Sequence, residues 1–192
     1  MSKHADQREG GLSGQRPRIY LAGPDVFLPW SGQIFEGLKA QCERFGMVGV
    51  EPSDGGLSDG FSGSDEELAQ RIYEGNIKRI RECDGVAANL MSFRGQEPDS
   101  GTVFEVGFAV ALGKPVVGYG VPEGSYAERV SAAIPCARDG AGVLREIGSI
   151  AMVEGLGQRL NLMLSRSTTI EPSAEAALRR LAEMLGCGNP VA

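Results

Sequence analysis

Asp84–Tyr119 reads DGVAANLMSFRGQEPDSGTVFEVGFAVALGKPVVGY, and its apolar periodicity divides it into four parts. Asp84–Leu90 is a short apolar run of the kind that forms a buried strand, and Met91–Ser100 is a polar loop. Thr102–Leu112 is a helix, and Pro115–Tyr119 is a second buried strand. Strand, helix and strand in that order make a βαβ unit, whose strands lie parallel in one sheet. Glu105 is the only ionisable side chain between Asp99 and Lys114. A carboxylate inside a segment built to be buried is costly unless it is paired or used, so Glu105 marks a candidate active site.

The alternation continues on both sides. Residues 1–17 are rich in Gly, Ser, Gln and charge and are expected to be a disordered leader. The single domain is expected over 18–192. It opens with a short buried strand, Arg18–Ala22, which ends at Gly23-Pro24. A helix follows over Ser31–Phe45, then a strand at Met47–Val50 and a Gly/Ser/Asp loop from Pro52 to Ser64, long enough to suggest a functional lid. Asp65-Glu66-Glu67 opens the next helix, and Arg79 and Arg81 close it, so charge matches the helix dipole at both ends. Past Gly120 the pattern predicts a helix at Ser125–Ala133, strands at Ala151–Glu154 and Ser167–Ile170, and a helix at Leu156–Leu164. A closing helix spans Ser173–Leu185, with Ser at its cap and Gly186 past its end. The fold class is α/β: a flavodoxin-like (Rossmann-like), doubly wound, mostly parallel five-stranded sheet with helices on both faces.

Several function classes are excluded. A net charge of −6 without any Lys/Arg run argues against nucleic acid, while permitting a nucleotide or nucleoside. The four cysteines lie far apart with no C-x-x-C pair and the one histidine is His4, so neither a metal site nor a disulfide framework is expected. No G-x-G-x-x-G follows the first strand and no P-loop occurs, so no cofactor is expected. The leader lacks an apolar core and the apolar run at 102–112 is too short to span a bilayer, which predicts a cytoplasmic protein with reduced thiols and no membrane partner.

In a flavodoxin-like sheet the strands Ile19–Ala22 and Val86–Leu90 lie side by side, and ligands bind beyond their carboxyl ends. The turn carrying Gly23 and Asp25, the loop FRGQEPDSG with Arg94, Asp99 and Gly101, and the start of the third helix then converge on one cleft with Tyr20 and Glu105. Two readings of Glu105 remain open. Thr102-Val-Phe-Glu105 fits a capping box, in which Glu105 folds back onto the Thr102 amide. Alternatively the carboxylate points into the cleft as a nucleophile, kept ionised by the helix N-terminus.

At these residues the chain resembles the nucleoside 2-deoxyribosyltransferase family. The match is carried by IYLAGPDVF (Ile19–Phe27), NIKRIRECDGVAANL (Asn76–Leu90), FRGQEPDSGTVFEVGFAVALGKPV (Phe93–Val116) and VEGLGQRLNLML (Val153–Leu164), in that order. The resemblance implies that Glu105 attacks the anomeric carbon of a 2′-deoxynucleoside, and that a second nucleobase then attacks the deoxyribosyl-enzyme. It implies that Asp99 accepts a hydrogen bond from the sugar 5′-OH, that Tyr20 positions Glu105, and that Asn161 reaches a neighbouring subunit's site. Where several members carry an Asp against the base, this chain has Asn76, which can orient a base but cannot deliver a proton as an acid.

The third helix is apolar nearly all round, which predicts burial on two sides and a homodimer or larger homo-oligomer. Two other functions are consistent with the same fold. One is an N-glycosidase acting on nucleosides or nucleoside monophosphates, against which Asp99 argues by repelling a 5′-phosphate. The other is a non-catalytic nucleotide-sensing domain, in which Glu105 is only a cap.

Overall fold

A computed structural model describes residues 15–187, so residues 1–14 of the expected leader lie outside the described residues. Five strands form one wholly parallel sheet: β1 (Arg18–Ala22), β2 (Val48–Val50), β3 (Gly85–Asn89), β4 (Val116–Tyr119) and, later in the chain, a two-residue strand at Thr169–Ile170. The order across the sheet is β2, β1, β3, β4 and the late strand, the flavodoxin-like order expected from the sequence. The register sets Tyr20 opposite Val86 and Ala22 opposite Ala88, which fixes the carboxyl ends of β1 and β3 side by side.

Period-two alternation sends the strand residues into two separate cores. Ile19, Leu21, Ala87 and Val117 face α1 (Ser31–Arg44), which contributes Phe35, Leu38 and Cys42. The same face receives the closing helix (Ala174–Met184) with Leu178 and Leu181. Tyr20, Ala22, Val86, Ala88 and Val116 face the other way, toward Ile80 of α2 (Asp65–Glu82) and Val106 and Ala109 of α3 (Ser100–Ala111). Helices therefore cover both faces.

Three local expectations change. The capping box at Thr102/Glu105 does not form, because α3 starts one turn earlier: Asp99 is its N-cap, taking the Thr102 amide at 2.9 Å and the Thr102 hydroxyl at 3.0 Å. Asp accepts these bonds as an N-cap should, which moves Glu105 into the second turn. Capping boxes occur instead at Ser64/Glu67 and at Ser125/Glu128, the latter opening α4 (Tyr126–Ala133). The helix expected over Leu156–Leu164 is mostly loop. Gly157 sits at φ 70° and Asn161 caps a shorter helix, α5 (Leu162–Ser167), which also takes Ser167 from the last strand. The strand expected at Ala151–Glu154 reduces to a single bridge between Met152 and Arg145, beside an unforeseen antiparallel hairpin of β5 (Cys136–Arg138) and β6 (Leu144–Glu146). The late strand and closing helix are thus β7 and α6.

Among the described residues the outer face of α3 is left open: Phe104 is 53% exposed, stacks on Phe108 and meets Tyr73 at a tilt. Among the described residues no helix is long and apolar enough to cross a membrane.

Candidate active site

The site begins with Tyr20, whose side chain lies on the α3 side of β1 and is fully buried. Its hydroxyl donates to Glu105 Oε1 at 2.6 Å, across 85 residues of sequence. Glu105 therefore turns toward the sheet and the cleft, not back onto Thr102. Burial pushes its pKa up to about 7; the Tyr20 hydrogen bond pulls it down, and the nearby Asp99 charge pushes it up. The helix N-terminus does not keep it fully ionised, because the first-turn amide of Thr102 is taken by Asp99 and Glu105 lies a turn deeper. Burial also raises the Tyr20 pKa, reinforced by Glu105, so the phenol stays a donor.

Glu105 opens into a cavity of about 880 Å³ between the carboxyl ends of β1 and β2 and the start of α3. Gly23, Asn76, Asp99 and Gly101 line it as the sequence suggested. At Gly23 space decides the residue: an added Cβ would stand 2.6 Å from Asp25 Oδ2 and 2.8 Å from Asn89 Cβ. Asp99 commits Oδ2 to the cap, and its Oδ1 carries no such bond. Asn76 accepts the Ser53 amide at 2.7 Å through Oδ1.

Three candidates stand elsewhere. Asp25 is 6% exposed and is held by Asn89 Nδ2 at 3.0 and 3.2 Å, so it braces the turn behind the cavity. Arg94 adopts φ 54° and lies exposed over the rings of Phe93 and Phe27. Asn161 caps α5 through Leu164 N at 3.1 Å and is outside this cavity.

Other lining residues escaped the sequence reading. Arg79 projects from α2 one turn after Asn76 and donates to the Glu51 carbonyl at 2.7 Å. Its i,i+3 spacing from Asn76 was the available signal, hidden by its equally good fit as a dipole-matching residue. The lid contributes Ser53, Asp54, Leu57 and Asp59, and Asp54 is pulled down to about 2 by the Ser58 hydroxyl and by the Ser58 and Gly56 amides. Among the described residues no three or more His, Cys, Asp or Glu side chains gather to hold a metal ion.

A buried phenol holding a carboxylate at the wall of a cavity is suited to nucleophilic attack at an electrophilic carbon, with no metal ligand set beside it. The comparisons with known proteins bear on which family uses it. The family model for nucleoside 2-deoxyribosyltransferase matches residues 19–163. The 2-desoxiribosyltransferase from Leishmania mexicana is 31% identical and superposes with a TM-score of 0.67, covering 87% of this chain and 97% of that one. A conserved protein from Enterococcus faecalis, at 19% identity and TM-score 0.53, shares the fold over 88% of this chain and 99% of its own. An uncharacterised protein of Schizosaccharomyces pombe is 37% identical over 117 residues, which are 59% of this chain and 54% of that relative, so the match spans about half of the relative's length. With a family match reaching from β1 into α5, and a solved relative aligned over nearly its whole length, this chain belongs to the nucleoside 2-deoxyribosyltransferase family.

Proposed function

We propose that the protein transfers a 2-deoxyribosyl group from one nucleobase to another, by two displacements at the same carbon. The observation that carries this reading is the 2.6 Å bond by which Tyr20 holds Glu105 at the cavity wall. The Glu105 carboxylate forms a bond to C1′ as the C1′–N bond to the departing base breaks; its electron pair leaves with the base, which takes up a proton from solvent, and a glycosyl ester remains. A second base then attacks C1′ through a ring nitrogen, the ester bond breaks, and the incoming base gives up its N–H proton. Two inversions give net retention.

Tyr20 acts through Glu105 as a positioning residue, since it is buried behind the carboxylate. Asp99, with Oδ1 unused by the cap, takes the sugar 5′-OH as acceptor. Asn76 orients the base and supplies no proton. Gly23 and Gly101 let the backbone approach the ligand, while Asp25 and Arg94 shape the surrounding loops. The enzyme works as a homodimer or larger homo-oligomer in nucleoside salvage in the cytoplasm. A second copy covers the outer face of α3 and brings its own Asn161 toward this site.

Incubation with 2′-deoxyinosine, with and without adenine or cytosine, tests the reading. Exchange that requires the acceptor base is expected, and Glu105→Ala should lower it by at least about a thousandfold, the scale on which a covalent nucleophile acts. Release of free base without acceptor would instead indicate hydrolysis. Absence of turnover across a deoxynucleoside panel would indicate sensing, and normal exchange by Glu105→Ala would overturn the mechanism.

A further inference from the structure

Asn76 and Arg79 stand one turn apart on α2 and line the cavity together. Residues at that spacing are neighbours on one helix face. Each spends one group on the strand-end segment beneath the lid: Asn76 Oδ1 accepts from Ser53 N at 2.7 Å, and Arg79 Nη1 donates to the Glu51 carbonyl at 2.7 Å. Those two bonds fix what remains. One lone pair of the Asn76 oxygen is spent on Ser53 N; its Nδ2 amino group has no partner among the described residues, and the rest of the Arg79 guanidinium is left with it. None of these nitrogens has an acceptor among the described residues, and none is sealed from solvent. Among the described residues Arg79 is also the sole cationic side chain lining the cavity, beside carboxylates from β2's end, the 52–64 loop and α3. The α2 wall is therefore dominated by free donors, the Asn76 amino group and the remaining guanidinium N–H groups, against a single acceptor lone pair on Asn76 Oδ1.

We propose that Asn76 and Arg79 form a paired-donor reader that selects nucleobases presenting two adjacent acceptors, making 6-oxopurines such as hypoxanthine and guanine the preferred bases over adenine. This rests on the transferase reading and names its base. A 6-oxopurine carries O6 and N7 on one edge, both acceptors, the arrangement that arginine reads in guanine. Adenine carries N7 beside an N6 amino group, which sets an N–H against the Arg79 N–H groups and can pair only with the one remaining lone pair of Asn76 Oδ1. Sites built on such bonds discriminate strongly against partners that cannot complete them. Apolar lining from Phe27, Phe35 and Ile72 accommodates the ring faces, and 880 Å³ leaves ample room for a bicyclic base.

The test is internal competition. An equimolar mixture of 2′-deoxyinosine, 2′-deoxyguanosine, 2′-deoxyadenosine and 2′-deoxycytidine is supplied with xanthine as acceptor, a 6-oxopurine whose product differs from all four donors. The initial consumption of each donor is followed chromatographically. The two 6-oxopurine donors should disappear at least about tenfold faster than 2′-deoxyadenosine. Arg79→Met and Asn76→Ala should each narrow that ratio, and Arg79→Lys should restore it only in part, because an ammonium lacks the planar fork. Equal or faster consumption of 2′-deoxyadenosine or 2′-deoxycytidine by the unaltered protein overturns the proposal. So does a uniform slowing of all four donors in the variants with the ratio unchanged. If no donor is consumed, the transferase reading fails separately. The reader is then tested by calorimetric binding of free hypoxanthine against free adenine, where a tenfold preference upholds it and equal affinity ends it. A parallel arm with 2′-deoxyinosine 5′-monophosphate distinguishes a phosphate ligand: loss confined to that substrate in Arg79→Met assigns the guanidinium to phosphate and overturns the base assignment.

Discussion

Glu105 and Tyr20 combine two opposing demands. Burial makes the carboxylate a strong nucleophile when ionised, yet the same burial raises its pKa to about 7 and so removes the ionised form at lower pH. In the proposed mechanism the active species is the anion, so kcat/KM should fall about tenfold per pH unit below roughly 7 and level off above it. Tyr20 is the group that lowers the Glu105 pKa. Tyr20→Phe should therefore move this limb to higher pH as well as reduce the plateau. A pH-rate profile of both proteins checks this; an unmoved limb in Tyr20→Phe would separate the phenol from the nucleophile's ionisation. Glu105 was visible in the sequence because it broke an apolar run, and Tyr20 because the family resemblance named it. Arg79 was not, since its partner is a backbone carbonyl 28 residues away that no local pattern encodes.

At the scale of single elements, α3 is the instructive one. The patterns Asp99-x-x-Thr102 and Thr102-x-x-Glu105 both look like helix starts, and the chain can use only one. Asp99 wins because its carboxylate satisfies both the amide and the hydroxyl of Thr102, while Glu105 is drawn inward by Tyr20. Asp99 consequently has two duties that mutagenesis can separate. Asp99→Ala should cost about 1 kcal/mol of stability through the lost cap as well as activity. Asp99→Asn keeps a good cap, so its unfolding midpoint should stay near the unaltered value while kcat/KM still falls, because the proposed charged acceptor for the 5′-OH is gone. Thermal denaturation beside steady-state kinetics reads the two apart, and equal stability losses would refute the division. Elements whose pattern is long and apolar, such as β1, β3 and α1, were legible. The hairpin of β5 and β6 was not, because three-residue strands with exposed Ala137 and Arg138 carry no alternation to detect. The loop before α5 was misread as helix because apolar spacing at Leu156, Leu160 and Leu164 outweighed Gly155 and Gly157.

For the whole molecule, the sheet order and the two cores follow from strand and helix alternation alone, whereas the proposed assembly would use a face that the described residues leave open. Tyr73 and Phe104 are both more than half exposed on neighbouring helices, and Phe108 continues the same stack. A charged side chain there opposes burial against a second copy. Phe104→Glu should shift the protein toward monomer in light scattering while leaving the far-ultraviolet circular dichroism intact. An unchanged mass would place the subunit contact elsewhere. Glu105 rides on a helix whose outer side is bare, but its direction is set from the middle strand region by a phenol that solvent never reaches. The aim of the reacting group is thus inherited from the most protected part of the molecule. Substitutions confined to the 52–64 loop or to the outer face of α3 change neither member of the Tyr20–Glu105 bond.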